Sequence, residues 1–348
     1  MREGTCLELL KDGDRKQGEF KCRATVPGRR ENTRPGGEME RSVGEHAADS
    51  SQPCRKGAIR GNITALEAAY EEYRLEELMD FLKETLRRYR YVPSFALWRA
   101  AELELFSREH FEKPILDVGC GNGSFTNLLF QIGMIDVGID DDTAVVAEAA
   151  KTGTYEKVEV MDVVNMSFPD DQFNSLICNC VLEHVPDLAG ALKECQRVLK
   201  RDGVFVFTVP SEEFHAYLYH YKRCLSQKEI EKANEYIRTV DFKHKHFHYL
   251  SPDEWKNLLA SVGFSQIETK YYISEETMAI WDRLEAYFTS ELFGVLGRLR
   301  NRLLLLLLIT TPYFILWRIW YHLLKRYNQE VVSGALKGGA IFIKCKKG

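Results

Sequence analysis

The stretch from Lys113 to Phe125, KPILDVGCGNGSF, constrains this 348-residue chain more than any other. Ile115, Leu116 and Val118 form a short apolar run of the kind a buried parallel strand shows. Gly119, Gly121 and Gly123 follow at alternate positions, and a helix is expected to begin near Ser124. Glycine accepts positive φ, and its missing side chain lets a ligand lie against the backbone. The unpaired N–H groups of the new helix face the same place. The spacing is G-x-G-x-G, not the G-x-G-x-x-G of dinucleotide folds. By itself such a turn is as often a tight corner as a ligand cradle, so the segments downstream decide.

Those segments alternate. Residues 135–139, 158–161, 173–178 and 204–209 read as strands, ending at Asp140-Asp141-Asp142, Asp162, Asn179 and Pro210. Helices are expected over 125–132, 143–151 and 188–199, the last stopped by Asp202-Gly203. Residues 266–273 predict a sixth strand. Residues 339–345 alternate like an edge strand and predict a final antiparallel one. The fold class is therefore α/β, a doubly wound, mostly parallel seven-stranded sheet. Ligands of such sheets sit beyond the carboxyl ends of the strands, where the polar residues cluster. Asp140, with Asp141 beside it, is placed to accept hydrogen bonds from ribose hydroxyls. Asp162 can accept from an exocyclic amine such as that of adenine. Asp117 lies inside the first strand, and a buried carboxylate needs a partner; a ligand ammonium would serve.

ILDVGCGNGSF, VGIDDD (137–142), MDV (161–163) and the segment 173–211 with its LEHVPD (182–187) resemble the class I S-adenosylmethionine-dependent methyltransferases. Within them, the chain is most similar to the broad family that includes the ubiquinone-pathway O-methyltransferases, over about residues 95–272 and the last strand. The resemblance implies S-adenosylmethionine as cofactor on a Rossmann-like fold. It places Gly119, Gly121 and Gly123 under the methionine part and Asp117 near the ammonium. Asp140 would hold the ribose, with Asp141 beside it in the cofactor site, Asp162 and Val163 would read the adenine, and the Asn179 backbone would close over the sulfonium. Arg99 matches an arginine that holds the cofactor carboxylate. His184 is the candidate general base for an oxygen nucleophile. Metal-using relatives carry acidic residues just before this histidine; here Cys180 stands at one such position, although Glu183 remains, and no metal is expected.

Charge and cysteines narrow the partners. A formal net charge of −4 leaves no basic footprint for nucleic acid. None of the nine cysteines forms a C-x-x-C pair, which reads as reduced thiols rather than a zinc site. Residues 1–60 have the composition of a disordered leader, within which Met39 is a possible start. Residues 61–112 are expected to be helices covering the cofactor, with helices over 63–88 and from 95 to 106, the second capped by Ser94. Residues 113–274 form the core, with an aromatic-rich substrate insertion at 211–243 holding a helix near 227–238. His244, His246 and His248 alternate ahead of a helix capped by Ser251; they read as a loop at the substrate mouth rather than a metal set.

Residues 275–335 are expected to be a helical apolar insertion before the last strand at 336–348. Residues 303–324 hold six consecutive leucines, Trp317 and Trp320. Arg298, Arg300 and Arg302 precede them; Lys325 and Arg326 follow. The length permits a span, but strands of one sheet on both sides put both ends on one side of the membrane. Thr310-Thr311-Pro312 can turn the chain. The expectation is a re-entrant or interfacial hairpin, with Arg318 snorkelling and the tryptophans at the headgroups. The protein would then work at the cytoplasmic face of a membrane on a lipid-linked or small-molecule acceptor. The alternatives are a soluble methyltransferase whose apolar segment is an oligomer contact, and a non-catalytic cofactor-binding adaptor.

Overall fold

The computed structural model describes residues 80–130, 135–288, 310–330 and 337–348, all within one compact unit, 79–348. The readings of a disordered leader, of a helix before residue 80 and of the leucine run at 303–308 lie outside the described residues. Within the unit, α1 (Phe81–Arg88) and α2 (Pro93–Phe106) precede the sheet. Asp80 caps α1 by accepting from the Lys83 N–H at 3.0 Å. The expected cap at Ser94 is not found. Pro93 is the first residue of α2, where its missing N–H costs nothing, and the Ser94 hydroxyl donates instead to Glu285 at 2.8 Å.

The sheet contains β1 (Ile115–Val118), β2 (Ile135–Asp140), β3 (Tyr155–Val160), β4 (Phe173–Asn179), β5 (Leu199–Pro210), β6 (Phe264–Tyr272) and β7 (Ala340–Lys347). Their order is β3-β2-β1-β4-β5-β7-β6. Strands β1 to β5 pair in parallel, and β7 runs antiparallel to both β5 and β6. The expected antiparallel last strand is present, but it is not an edge. It lies between β5 and β6, which explains why its first four residues are all buried.

Side chains of alternate parity feed two cores. Leu116, Val118, Phe205, Phe207, Ile341 and Ile343 pack on one face, covered by α5 (Leu188–Val198) and α8 (Pro252–Ser261) through Leu192, Cys195, Trp255 and Leu259. Ile115, Ile177, Val206 and Phe342 pack on the other, against Trp98, Ala101, Leu105 and Phe106 of α2. The Asp202-Gly203 pair does not stop α5. That helix ends at Val198, and β5 starts at once with Leu199. Asp202 takes φ +60° inside β5, where the register against β4 jumps from Phe173↔Leu199 to Ser175↔Val204; the pair marks a bulge. Ser251 caps α8 in a reciprocal box with Glu254, as its spacing predicts.

Short helices α3 (Ser124–Leu129) and α4 (Thr143–Ala149) connect the first three strands. The insertion after β5 holds two helices rather than one, α6 (Tyr219–Ser226) and α7 (Ile230–His244). Beyond β6 come α9 (Glu275–Phe288) and α10 (Tyr313–Glu330). The α10 helix starts directly after Pro312, whose carbonyl accepts from the Ile315 and Leu316 N–H groups. Leu316, Trp317, Leu324 and Tyr327 are buried. The guanidinium of Arg87 in α1 lies 4.8 Å from the Trp317 ring. Trp317 therefore faces protein, not headgroups as expected from sequence, because it sits on the inward side of its helix.

Candidate functional site

The parallel pairing Asp117↔Gly138 and Val118↔Ile139 brings the ends of β1 and β2 side by side. The glycine turn leaves β1 with φ +71° at Gly119 and +53° at Gly121, conformations that side chains resist. A Cβ on Gly119 would meet Val181 at 2.3 Å, so the turn fits closely under that side chain. A Cβ on Gly121 would meet nothing within 4 Å. The tip of the turn is thus open ground where a ligand can lie on the backbone. Asp140 joins the two strand ends: Oδ2 accepts from the Gly121 N–H at 2.9 Å and Oδ1 from the Asp142 N–H at 3.0 Å. Each oxygen keeps a lone pair for a hydroxyl, and burial raises this carboxyl above its ordinary range. The Met161 N–H donates to the Asp140 carbonyl at 2.9 Å, which sets the turn after β3 alongside. There Asp162 is exposed and accepts from the Val164 N–H at 3.0 Å, Val163 is half-buried, and Asp141 is exposed. Open glycine backbone, a diol-accepting carboxylate and an adjacent exposed acceptor are the donor and acceptor set that S-adenosylmethionine requires.

Asp117 is buried at 3% exposure, but its partners lie within the protein. Oδ2 accepts from the Thr126 hydroxyl at 2.5 Å and the Tyr155 hydroxyl at 2.7 Å. The carboxylate that the sequence leaves in want of an ammonium is met by two hydroxyls. Burial outweighs them and pushes its pKa up to about 6.

Beyond β4 the site is held by a residue the sequence reading passed over. Glu102 of α2 is fully buried. Oε2 accepts from Arg99 at 2.5 Å and from the Asn179 amide at 3.0 Å. Oε1 accepts from Trp98 Nε1 at 2.7 Å, Cys180 Sγ at 2.8 Å and the Tyr272 hydroxyl at 3.1 Å. One carboxylate thus ties α2 to the ends of β4 and β6. Its signal was an acid three residues after Arg99 in the largely apolar run ALWRAAELELF, which also holds Glu104. Arg99 uses Nη1 on Glu102, which leaves donors of its fork for a second carboxylate, and it stacks 4.8 Å from the Phe95 ring.

His184 ends a 3₁₀ turn, Leu182–His184. Its Nδ1 lies 3.2 Å from the Lys245 carbonyl, which can only accept, so Nδ1 carries the hydrogen and Nε2 is a base. Burial, with the nearby charges of Arg99 and Lys245, holds its pKa below the ordinary histidine value. The Phe247 N–H donates to the Glu183 carbonyl at 2.7 Å and brings the histidine loop over this turn. His246 stacks 5.1 Å from His184. One nitrogen of each ring and a Glu183 oxygen lie within 4.8 Å of one another. Burial lifts the Glu183 carboxyl to about 8, so at neutral pH it is mostly a neutral acid beside two neutral imidazoles. Cys180 stands where another acid would be needed and gives its thiol to Glu102, and Arg99 adds positive charge nearby. The three donors are close enough together to hold a metal ion. Of the other alternating histidines, His248 faces away and meets the Val185 carbonyl at 2.8 Å. His244 stacks on Trp281 at 5.7 Å and is held near 4 by burial.

Residues 116–207 match the family described as "Methyltransferase domain". Over those residues the chain carries a methyltransferase domain. It is 30% identical over 111 residues to a ubiquinone biosynthesis O-methyltransferase of Coxiella burnetii, an alignment covering 31% of this chain and 47% of that one. It is 27% identical over 177 residues to the enzyme of that name from Actinobacillus pleuropneumoniae, covering 42% and 75%. The chain thus spans about half the length of the first of these relatives. A solved methyltransferase from Thermotoga maritima superposes with a TM-score of 0.45 at 16% identity, covering 77% of this chain and all of that one.

The methyltransferase domain brings together Gly119, Gly121, Gly123, Asp140 and Asp162 at neighbouring strand ends. Arg99, Asn179 and His184 stand around β4. The match ends at residue 207, before the insertion, the histidine loop and α9, which supply Phe214, Tyr249 and Trp281 beside His246 and His244.

Proposed function

We propose that the protein transfers a methyl group from S-adenosylmethionine to an oxygen of a lipid-linked or amphipathic acceptor at a membrane surface. The observation that carries the transfer is Asp140, which ties the open glycine turn to the end of β2 inside the methyltransferase domain. When bound, the cofactor supplies an electrophilic methyl on a good leaving group. The chain has mainly to align and to exclude water. Gly119, Gly121 and Gly123 offer backbone to the methionine part, Asp140 and Asp141 accept from the ribose, and Asp162 and Val163 border the adenine. Arg99 holds the carboxylate, with Glu102 fixing its direction, and Asn179 borders the sulfonium. Trp98, Phe214 and Trp281 form a mutually stacked aromatic wall. His184, neutral with Nε2 open, accepts the hydroxyl proton, an effect worth roughly 10²–10⁴ in rate. No metal takes part in this reading.

The outer face of α10 supports the membrane reading. Ile315, Ile319 and Leu323 recur every four residues and are 40%, 47% and 56% exposed; Phe314 beside them is 58% exposed. Arg318, Lys325 and Arg326 flank that stripe. No described helix is long and apolar enough to cross a membrane. A one-sided apolar stripe with basic flanks suits a helix lying in the interface. The acceptor would then reach the site laterally from the bilayer, and the cytoplasmic leaflet, rich in anionic lipid, suits the basic flanks.

The test is incubation of the purified protein with methyl-labelled S-adenosylmethionine and total membrane lipid, with Asp140→Ala as blank. Label in the organic phase, absent from the blank, is the expected result, and mass spectrometry of that product names the acceptor. An unlabelled organic phase with measured cofactor binding would move the reading to water-soluble acceptors. In vesicle flotation, the triple variant Ile315→Glu, Ile319→Glu, Leu323→Glu is expected to release the protein from anionic vesicles; unchanged flotation would remove α10 from the membrane reading.

A further inference from the structure

His246 has a supporting chain that His184 lacks. The Tyr249 hydroxyl lies 2.5 Å from Asp241 Oδ1, and a carboxylate can only accept, so the tyrosine hydrogen goes there. His246 Nδ1 lies 3.1 Å from the same Tyr249 oxygen. With its one hydrogen committed, that oxygen can only accept, so Nδ1 of His246 carries the hydrogen and Nε2 is left as a lone pair. His215 Nε2 donates to the same Asp241 oxygen at 2.7 Å, and the Tyr249 ring stacks 4.3 Å from the His215 ring. Behind His246 there is therefore a run of tyrosine, aspartate and a second histidine. His215 and Asp241 keep 26% and 34% of their side chains exposed, so the run ends at solvent. Nδ1 of His184 instead meets the Lys245 backbone carbonyl.

We propose that His246 is a second proton acceptor of the site, held with Nε2 open by Tyr249 and Asp241, and that Tyr249, Asp241 and His215 carry the proton's charge to the surface. The inference rests on methyl transfer to an oxygen and adds residues that lie beyond the matched domain. In the step, an oxygen lone pair of the acceptor forms the bond to the methyl carbon, and the carbon–sulfur pair returns to sulfur. The hydroxyl proton moves to Nε2. The imidazolium so formed donates through Nδ1 to Tyr249, whose own hydrogen already points at the Asp241 carboxylate. The groups facing His246 are His184, His244, Glu183, Tyr249 and, through Asp241, His215, with the charges of Arg99 and Lys245 beyond His184. Burial holds His246 neutral at rest and disfavours its imidazolium; the hydrogen bond from Nδ1 to Tyr249, backed by the Asp241 carboxylate, is what offsets that cost when Nε2 takes the proton. Asp241, Tyr249 and His215 act through His246 and are positioning residues.

Two measurements test this. Nitrogen-15 imidazole spectra of the full-length protein at neutral pH are expected to show His246 as the Nδ1–H tautomer. Tyr249→Phe should shift His246 alone toward a mixture, leaving His184 unchanged. In the lipid-labelling assay, Tyr249→Phe and Asp241→Asn are each expected to lower kcat about 10-fold and to move the acid limb of the pH profile to lower pH. KM and the calorimetric affinity for S-adenosylmethionine should stay unchanged, and Asp241→Glu should recover part of the loss. An Nε2–H tautomer or an imidazolium at His246, or spectra indifferent to Tyr249→Phe, would overturn the proposal. Unaltered kcat and pH profile in both variants would overturn it as well. If the native protein labels no lipid, the methyl-transfer reading has failed, and the tautomer spectra still uphold or overturn the arrangement of His246.

Discussion

The two halves of the site are built in opposite ways. The cofactor half uses neighbours in sequence: the glycine turn, the end of β2 and the turn after β3 fall within fifty residues and meet because parallel strands carry their ends to one edge. The acceptor half uses distant residues. Ser94 meets Glu285, Glu183 holds the backbone of Phe247, and His215 meets Asp241. Recognition of a fixed cofactor can be written into local motifs. Recognition of a particular acceptor is written into contacts between segments that vary independently, which is where one domain of this class can differ from another.

That contrast can be broken in several places. Glu102→Ala should have the largest effect, because it strips five partners at once and leaves Arg99 without its carboxylate. A stability loss of about 3–5 kcal/mol is expected, read as a drop in Tm, with Glu102→Gln recovering part. A smaller loss would mean that α2 is held to the sheet by apolar packing instead. Asp140→Ala should weaken S-adenosylmethionine by about 100-fold, the scale of two lost charge-assisted hydrogen bonds, while α7 and the histidine loop keep their spectra. If those spectra change too, the halves are not separate.

Asp117→Asn is expected to act on stability with pH. The folded protein holds the Asp117 proton up to about pH 6, whereas an ordinary aspartate releases it near 3.8. Between those values the folded state binds more protons, so stability falls as pH rises through this window. Asn removes that slope and should raise ligand-free stability near pH 7 by on the order of 2 kcal/mol. Urea melts at pH 4 and pH 7 with unchanged slopes would show that the two hydroxyls already offset burial. The smallest effect expected is none at all: dialysis against a chelator should leave label transfer unchanged. A loss restored by a divalent cation would convert Glu183, His184 and His246 into a metal centre and erase the acid–base reading of the acceptor half.

How much was legible follows the same division. The sheet was readable because strand and helix periods alternate cleanly from Ile115 to Pro210, and Asp140 stood out as the first acid at the end of the second strand, about twenty residues past the glycine turn it meets. Element ends were less so. Asp202-Gly203 looks like a helix stop because both residues favour turns, yet the same freedom serves a bulge within β5. Ser94 looks like a cap, but proline one residue earlier takes the first turn. Glu102 and Tyr155 are defined by what they touch, and a sequence does not order contacts across a hundred residues. His246 was seen among three alternating histidines. What distinguishes it from His248 is a tyrosine three residues on that also reaches Asp241, a coincidence of loop geometry.

The place of β7 bears on how the molecule is made. Six strands emerge before it, yet it occupies an interior slot between β5 and β6. Until residues 340–347 leave the ribosome, both neighbours present bare backbone edges, β5 with its phenylalanines beside it, and such edges recruit other chains. The excursion through α9 and α10 lengthens that wait. A deletion or frameshift that removes residues 340–347 would therefore strike the inside of the sheet rather than its rim, and yield on expression would register it before any assay of catalysis.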